Sequence, residues 1–326
     1  MSFSQSIPVI VLAGRTPPHK LPRGSDRHHG LDGCKGAELT VAGRPLIAHV
    51  VDRLSAMSAF GTIHIAGPAS AYQPLGLDAE LIDTDSHFGA NIRTAIEAVR
   101  QRHPDQALAI TTADILPEAA EIEPLFSALD HDPLPDLWFP LVGLNAASNL
   151  GESSWKPRYQ IAPGEGQPPQ AILPGHLVVF RPDALRLDFI YRLVDAAYTT
   201  RNRPVASRTL SLLARLGWAI TREDVLTLGR GELPRLWWRI LRDGLSMARM
   251  LARGSGSIQA MEQRVDRIAV WPQHRRQHPQ QHVRVPIVDA LSLARDIDTE
   301  EEAREFDQRL SQAGGSDRSE QEPGKH

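Results

Sequence analysis

Cysteine, lysine and long apolar runs are all scarce in this chain of 326 residues. The single cysteine, Cys34, excludes an intramolecular disulfide framework and any cysteine-rich zinc site. Lysine occurs four times, at Lys20, Lys35, Lys156 and Lys325, against 32 arginines. A lysine beside a charged motif therefore stands out. No apolar run approaches the roughly 20 residues that span a bilayer. The opening MSFSQSIPVIVLAG has neither a basic leading region nor a cleavage-like small-residue site, so a reduced, cytoplasmic protein is expected. Neither Gly-x-Gly-x-x-Gly nor Gly-x-x-x-x-Gly-Lys-Ser/Thr occurs, which removes support for dinucleotide and P-loop readings.

What is present is the composition of a folded chain, with 41 % hydrophobic and 23 % charged residues. The formal net charge of −3 hides an asymmetry. Residues 201–276 hold fifteen arginines and six acids, a surplus of nine positive charges, and the remainder is acidic. Such a segment can face a phosphorylated substrate, an anionic lipid surface or the acidic body itself.

Ile7–Ala13 (IPVIVLA) is short, continuously apolar and rich in β-branched residues, the pattern of a strand buried on both faces. The polar, Pro/Gly-bearing stretch 15–36 reads as a long loop, of a length that is usually functional or mobile. Pro45–Met57 and Ala90–Arg102 carry helical spacing. Thr62–Ala66, Ala107–Thr112, Leu137–Leu144 and Leu177–Phe180 read as strands. Strands alternating with helices predict an α/β, three-layer fold with a mostly parallel sheet. Helical periodicity alone runs from about 185 to 267, and Trp271–His282 reads as an exposed loop. Residues 311–326 are polar and core-free, the composition of a disordered tail.

Ligands of open parallel sheets bind beyond the carboxyl ends of the strands. Leu12, Ala13, Gly14 and Arg15 follow the first strand, Asp114 follows the strand ending at Thr112, and Asp296 and Asp298 follow the last strand-like stretch. Gly14 permits close backbone approach to a phosphate and Arg15 adds charge. Asp114 with one late aspartate suits a hard cation such as Mg²⁺. Each also has a structural use, since glycine closes many strands and aspartate caps many helices.

Val11-Leu12-Ala13-Gly14, then Lys35, then Gly43-Arg44-Pro45-Leu46-Ile47, resembles the amino-terminal signature of MobA-like nucleotidyltransferases, which have a GT-A-like Rossmann-type fold. Gly89-Ala90-Asn91, Thr112-Ala113-Asp114-Ile115 with Pro117, and Asp296-Ile297-Asp298-Thr299-Glu300-Glu301 resemble later pieces in the same order. The resemblance covers roughly residues 7–117 and 283–310. It implies one α/β domain over 1–310 with a helical insertion at about 185–267. It also implies transfer of a nucleotidyl group from a nucleoside triphosphate to a small phosphorylated acceptor, with release of pyrophosphate. Leu12, Ala13, Gly14 and Asn91 would then contact nucleotide and Arg15 and Lys35 would offset developing charge. Asp114 with Asp298 or Asp296 would hold Mg²⁺, and Lys156 and Arg158 would grip the acceptor. Gly175-His176, Arg201 and Arg203 lie where an acceptor pocket is lined.

Arg15 stands where that family usually has a second glycine, and Lys35 lies one residue further from Gly43 than usual. Two other readings share the fold: a GT-A glycosyltransferase using a nucleotide sugar, and a nucleotide-binding protein without turnover.

Three further signals are weaker. His274, His278 and His282 are spaced by four but interrupted by Pro279. His19, His28 and His29 near Cys34 fit no zinc spacing. Residues 233–253 form a basic, tryptophan-bearing amphipathic stretch that suits either core packing or an anionic membrane surface.

Overall fold

The computed structural model describes residues 6–16, 33–129, 134–144, 159–200, 217–218, 220–229 and 233–308. Lys156, Arg158, Arg201, Arg203, His19, His28, His29 and the tail at 311–326 lie outside them.

The strands are β1 (Ile7–Leu12), β2 (Thr40–Val41), β3 (Arg44–Pro45), β4 (Phe60–Gly67), β5 (Glu80–Asp83), β6 (Leu108–Thr112), β7 (Leu137–Trp138), β8 (Leu141–Gly143), β9 (Tyr159–Ile161), β10 (Gln170–Pro174), β11 (Val178–Phe180), β12 (Val283–Arg284) and β13 (Ile287–Val288). A seven-stranded sheet runs β12-β7-β11-β6-β1-β4-β5, and a four-stranded sheet runs β13-β8-β10-β9. The block β6-β1-β4-β5 is parallel throughout, and β11 enters antiparallel beside β6.

The central strand shows why the sheet needs helices on both faces. Ile7, Val9, Ile10 and Val11 are all nearly inaccessible. Val9 and Val11 pack into one cluster with Leu46, Val50 and Leu54 of α2 (Leu46–Ser55). Ile10, pointing the other way, joins Ile92, Ala95, Ile96 and Val99. Those belong to α4 (Phe88–Arg102), which follows the short α1 (Lys35–Glu38) and α3 (Ala69–Tyr72). Period-2 alternation on β1 against period-3.6 faces on α2 and α4 makes the three layers. The expected α/β fold with a mostly parallel sheet is the fold observed.

Two differences from the expected elements have local causes. Leu137–Leu144 is not one strand: Phe139-Pro140 interrupts it, and its halves join different sheets. Proline removes a ladder donor, which favours such a break. Trp271–His282 is not simply an exposed loop. Pro272 opens a short helix over Pro272–Gln277, and His274 is buried with its Nε2 2.9 Å from Asp136 Oδ1. Proline's fixed φ suits the first helical position.

After α5 (Ala119–Leu129), the helical segment comprises α6 (Leu187–Thr200), α7 (220–229), α8 (Leu236–Arg239), α9 (Leu245–Arg253) and α10 (Ile258–Ala269). A π turn over Ile240–Gly244 joins α8 to α9.

Candidate functional site

The carboxyl edge of the parallel block gathers residues that are far apart in sequence. β1 ends with its backbone satisfied: Leu12 O accepts from Ala113 N at 3.0 Å, and Ala13 N donates to Ala66 O at 2.8 Å. The next two amides, of Gly14 and Arg15, have no hydrogen-bond acceptor among the described residues, and both residues are exposed. Successive unengaged N–H groups beside a strand end suit a phosphate. A side chain at Gly14 would stand 3.3 Å from Asn91 Nδ2, so the closeness of α4 explains glycine there. Asn91 is itself committed to the turn before α4. Its Oδ1 accepts from Ser86 N at 2.9 Å and its Nδ2 donates to Ser86 O at 3.0 Å.

The ends of the long polar loop are pinned at this edge. Thr16 and Gly33 exchange backbone hydrogen bonds of 2.8 and 2.9 Å. Gly33 has φ +106°, and a side chain there would collide with Glu38, so only glycine fits. Glu38 Oε1 in turn accepts from Cys34 N at 2.8 Å. Cys34 is buried, and burial pushes its thiol pKa up. It therefore packs rather than reacts. Gly36 brings α1 against Ala113 and the Tyr72 hydroxyl. That close approach delivers Lys35 to the edge despite its altered spacing from Gly43.

Lys35 Nζ donates to Asp298 Oδ1 at 2.5 Å across 263 residues of sequence. Burial opposes the ammonium, but the Asp298 carboxylate, helped by Asp114 and Asp296, prevails and holds the lysine pKa above its ordinary value. Lys35 is thus a fixed cation here. Asp298 is placed by a capping box: Thr299 Oγ1 accepts from Glu302 N, and Glu302 Oε2 accepts from Asp298 N and Thr299 N.

Asp114, His176 and Asp296 form a second group whose ligand atoms all lie within 4.8 Å of one another. His176 Nε2 is 3.3 Å from Asp296 Oδ1, and its Nδ1 is 3.0 Å from Thr112 Oγ1 and 4.0 Å from Asp114 Oδ1. Asp114 and Asp296 are held together by their own backbones, since Ile297 N donates to Asp114 O at 2.7 Å. Asp114 Oδ1 is buried and accepts no hydrogen bond among the described residues. A buried carboxylate oxygen left so is poorly stabilised and suits a cation. Two carboxylates with an imidazole fit a divalent ion. The oxygens suit Mg²⁺, and the nitrogen extends the range to Mn²⁺.

Of the nominated residues, the structure brings together Gly14, Arg15, Lys35, Asn91, Asp114, Asp296 and Asp298. Asp296, rather than Asp298, groups with Asp114. Arg15 sits half-exposed, with its Nε 3.5 Å from Asp85 Oδ1. Asp85, Thr112 and the partnership of His176 with both carboxylates were not read from sequence. His176 reaches the edge at the turn between β10 and β11, where Gly175 packs against the Pro140 carbonyl. A cavity of about 610 Å³ lies elsewhere, between the 162–169 turn of the β9–β10 hairpin and residues 246–264, and contains none of the nominated residues.

No family model matches this chain, and no curated protein matches it. Among solved structures, it is similar to a hypothetical transferase from Thermus thermophilus, with 19 % identity and a TM-score of 0.56 over 92 % of this chain and all of that one. A 4-diphosphocytidyl-2C-methyl-D-erythritol synthase from Anaerococcus prevotii aligns over 94 % of this chain and 99 % of that one, at 8 % identity and a TM-score of 0.44. A CMP:2-keto-3-deoxy-manno-octonic acid synthetase complexed with CTP aligns over 66 % and 86 %, at 17 % identity and 0.39. These last two alignments are too loose to bear on function. The chain shares the α/β fold of the Thermus thermophilus transferase.

Proposed function

We propose that the chain is a nucleotidyltransferase that moves a nucleotidyl group from a nucleoside triphosphate to a small phosphorylated acceptor, releasing pyrophosphate. One observation carries this reading. Two unengaged amides, a half-buried lysine paired with a carboxylate, and a carboxylate–imidazole group meet at the strand edge where such a fold binds ligands.

In the proposed reaction an acceptor phosphate oxygen attacks the α-phosphorus, and the bond from that phosphorus to the pyrophosphate oxygen breaks. Positioning and charge compensation supply most of the catalysis in such transfers. The Gly14 and Arg15 amides would hold the triphosphate, and Lys35 and Arg15 would offset its charge. Asn91 would keep the Ser86 turn in place beside Gly14. Asp114 and Asp296, with His176 between them, would hold Mg²⁺ or Mn²⁺. When bound, that ion neutralises and orients phosphate oxygens. Lys156 and Arg158 remain nominated for the acceptor, Arg158 by a two-pronged contact.

The test is Asp114→Ala. Mg-dependent nucleoside triphosphate binding, measured by calorimetry, is expected to fall by roughly tenfold or more with the melting temperature of the free protein nearly unchanged. Unchanged affinity would remove Asp114 from the site. Pyrophosphate release across a panel of triphosphates and sugar phosphates tests the reaction itself. Binding without release would favour a nucleotide-sugar user or a protein without turnover.

A further inference from the structure

Among the described residues, every exposed large apolar side chain lies between residues 218 and 245, and Trp218 and Trp238 are 70 % and 65 % accessible. Of the two helices that carry most of them, α7 is inside out. On α7 the buried positions are Ile220, Glu223, Asp224 and Thr227, while Val225, Leu226 and Leu228 face outward. This orientation is fixed by specific contacts. Glu223 lies 3.9 Å from the buried Arg186, and Thr227 Oγ1 accepts from Arg186 at 3.4 Å. Asp224 accepts from the Leu236 and Trp237 amides at 2.8 and 3.2 Å, capping α8.

The second helix buries Leu236 and Met250 and packs Trp237, Ile240 and Met247 inward, yet it keeps a further apolar stripe outside. The π turn sends Asp243 inward to a two-pronged pair with Arg267, at 2.7 and 3.1 Å. Trp238, Leu241 and Leu245 are left exposed at i, i+3 and i+7, which places them along one face. Trp237 Nε1 donates to Thr221 Oγ1 at 3.1 Å, so the two helices adjoin.

The charges are sorted as strictly. Among described residues 217–253, the acids Glu223, Asp224 and Asp243 are all buried, while Arg235, Arg242, Arg249 and Arg253 are exposed. Outward charge there is only positive. A second copy docking symmetrically would set arginine against arginine. Outward tryptophan and leucine with arginine alongside is the composition of a helix lying in the headgroup region of an anionic bilayer. No described helix is long and apolar enough to cross a membrane.

We propose that α7 and the α8–α9 helix form a docking surface for an anionic lipid bilayer, on which they lie flat. The test is flotation of the full-length protein with two vesicle types: phosphatidylcholine alone, and phosphatidylcholine with phosphatidylglycerol. Binding is expected only with phosphatidylglycerol, and weaker at high salt. Two double variants, Trp238→Ser with Leu241→Ser and Arg235→Glu with Arg242→Glu, should each lower partitioning by roughly tenfold or more. These side chains are largely solvent-facing, and unchanged melting curves would show that both variants fold. Three results would overturn the proposal: no flotation with phosphatidylglycerol, flotation to which both variants are indifferent, or a lipid-free dimer that Trp238→Ser dissolves. The last would assign the face to a second copy.

Discussion

Helices α4 and α7 obey opposite rules. α4 buries Ile92, Ala95, Ile96 and Val99 against the sheet and leaves Arg93 and Glu97 on its outer parts. α7 buries two acids and a threonine and turns Val225, Leu226 and Leu228 to solvent. α4 is held by apolar area, which any side chain of suitable shape can supply. α7 buries one apolar side chain, Ile220, and is otherwise held by charge and hydrogen bonding to particular partners, chiefly Arg186 and the first amides of α8. α4 therefore tolerates repacking, whereas α7 depends on a few polar contacts.

The sharpest way to break this contrast is Glu223→Ala. It removes the carboxylate that lies 3.9 Å from Arg186, which is 1 % exposed. Arg186 would keep its stack over Trp271, where its guanidinium carbon lies 4.3 Å from the ring centroid. Removing one partner of a buried ion pair typically destabilises by about 3–5 kcal/mol. Chemical denaturation should show that loss. A change below about 1 kcal/mol would mean that α7 is held by something other than its acids.

The two regions should also part company in acid. His64 of β4 is inaccessible, and burial pushes its pKa down to about 4, outweighing Glu80. The unfolded chain takes up that proton near pH 6.5, so stability falls as pH drops from about 6.5 to about 4, by about 3 kcal/mol in all. Asp243 behaves otherwise. Burial opposes its charge, but hydrogen bonds from Arg267 and Arg242 win and hold its pKa below the usual carboxylate value. Its contribution persists until pH falls below the ordinary aspartate range. Denaturation across pH should show the first loss, and His64→Gln should flatten it. Hydrogen exchange should place the early weakening on β4 and its neighbours, with the contact between the π turn and α10 weakening only at lower pH.

The fold of the body was legible because its elements are long enough to show their period. β1, β6, α2 and α4 each declare a buried face. β7 and β8 were merged because two strands of two and three residues show no period, and only Phe139-Pro140 separates them. The β9–β10 hairpin leaves little trace in the sequence because its strands are short and their alternation is broken by polar and proline residues. At the site, Asp114 and Asp296 could be nominated because strand ends bind ligands. The link between Lys35 and Asp298 spans 263 residues, so only the folded chain reveals it. His176 could be placed near an acceptor pocket, but its position between two carboxylates depends on how β10 turns into β11. The inversion of α7 was not readable either. Periodicity marks an apolar face without saying that the opposite face has found Arg186.

The smallest predicted effect is the most direct measure of that inversion. Leu228 is 53 % accessible, so replacing it by serine removes little buried area from the folded state. Leucine and serine also differ modestly in helix propensity. The expected change in stability for Leu228→Ser is within about 0.5 kcal/mol. In an ordinary amphipathic helix the leucine belongs to the core, and truncating it would typically destabilise by 2 kcal/mol or more. If Leu228→Ser is that costly, Leu228 packs inward and α7 is not inverted. If it is neutral in denaturation yet weakens flotation with phosphatidylglycerol vesicles, the outward leucines stabilise lipid association rather than folding.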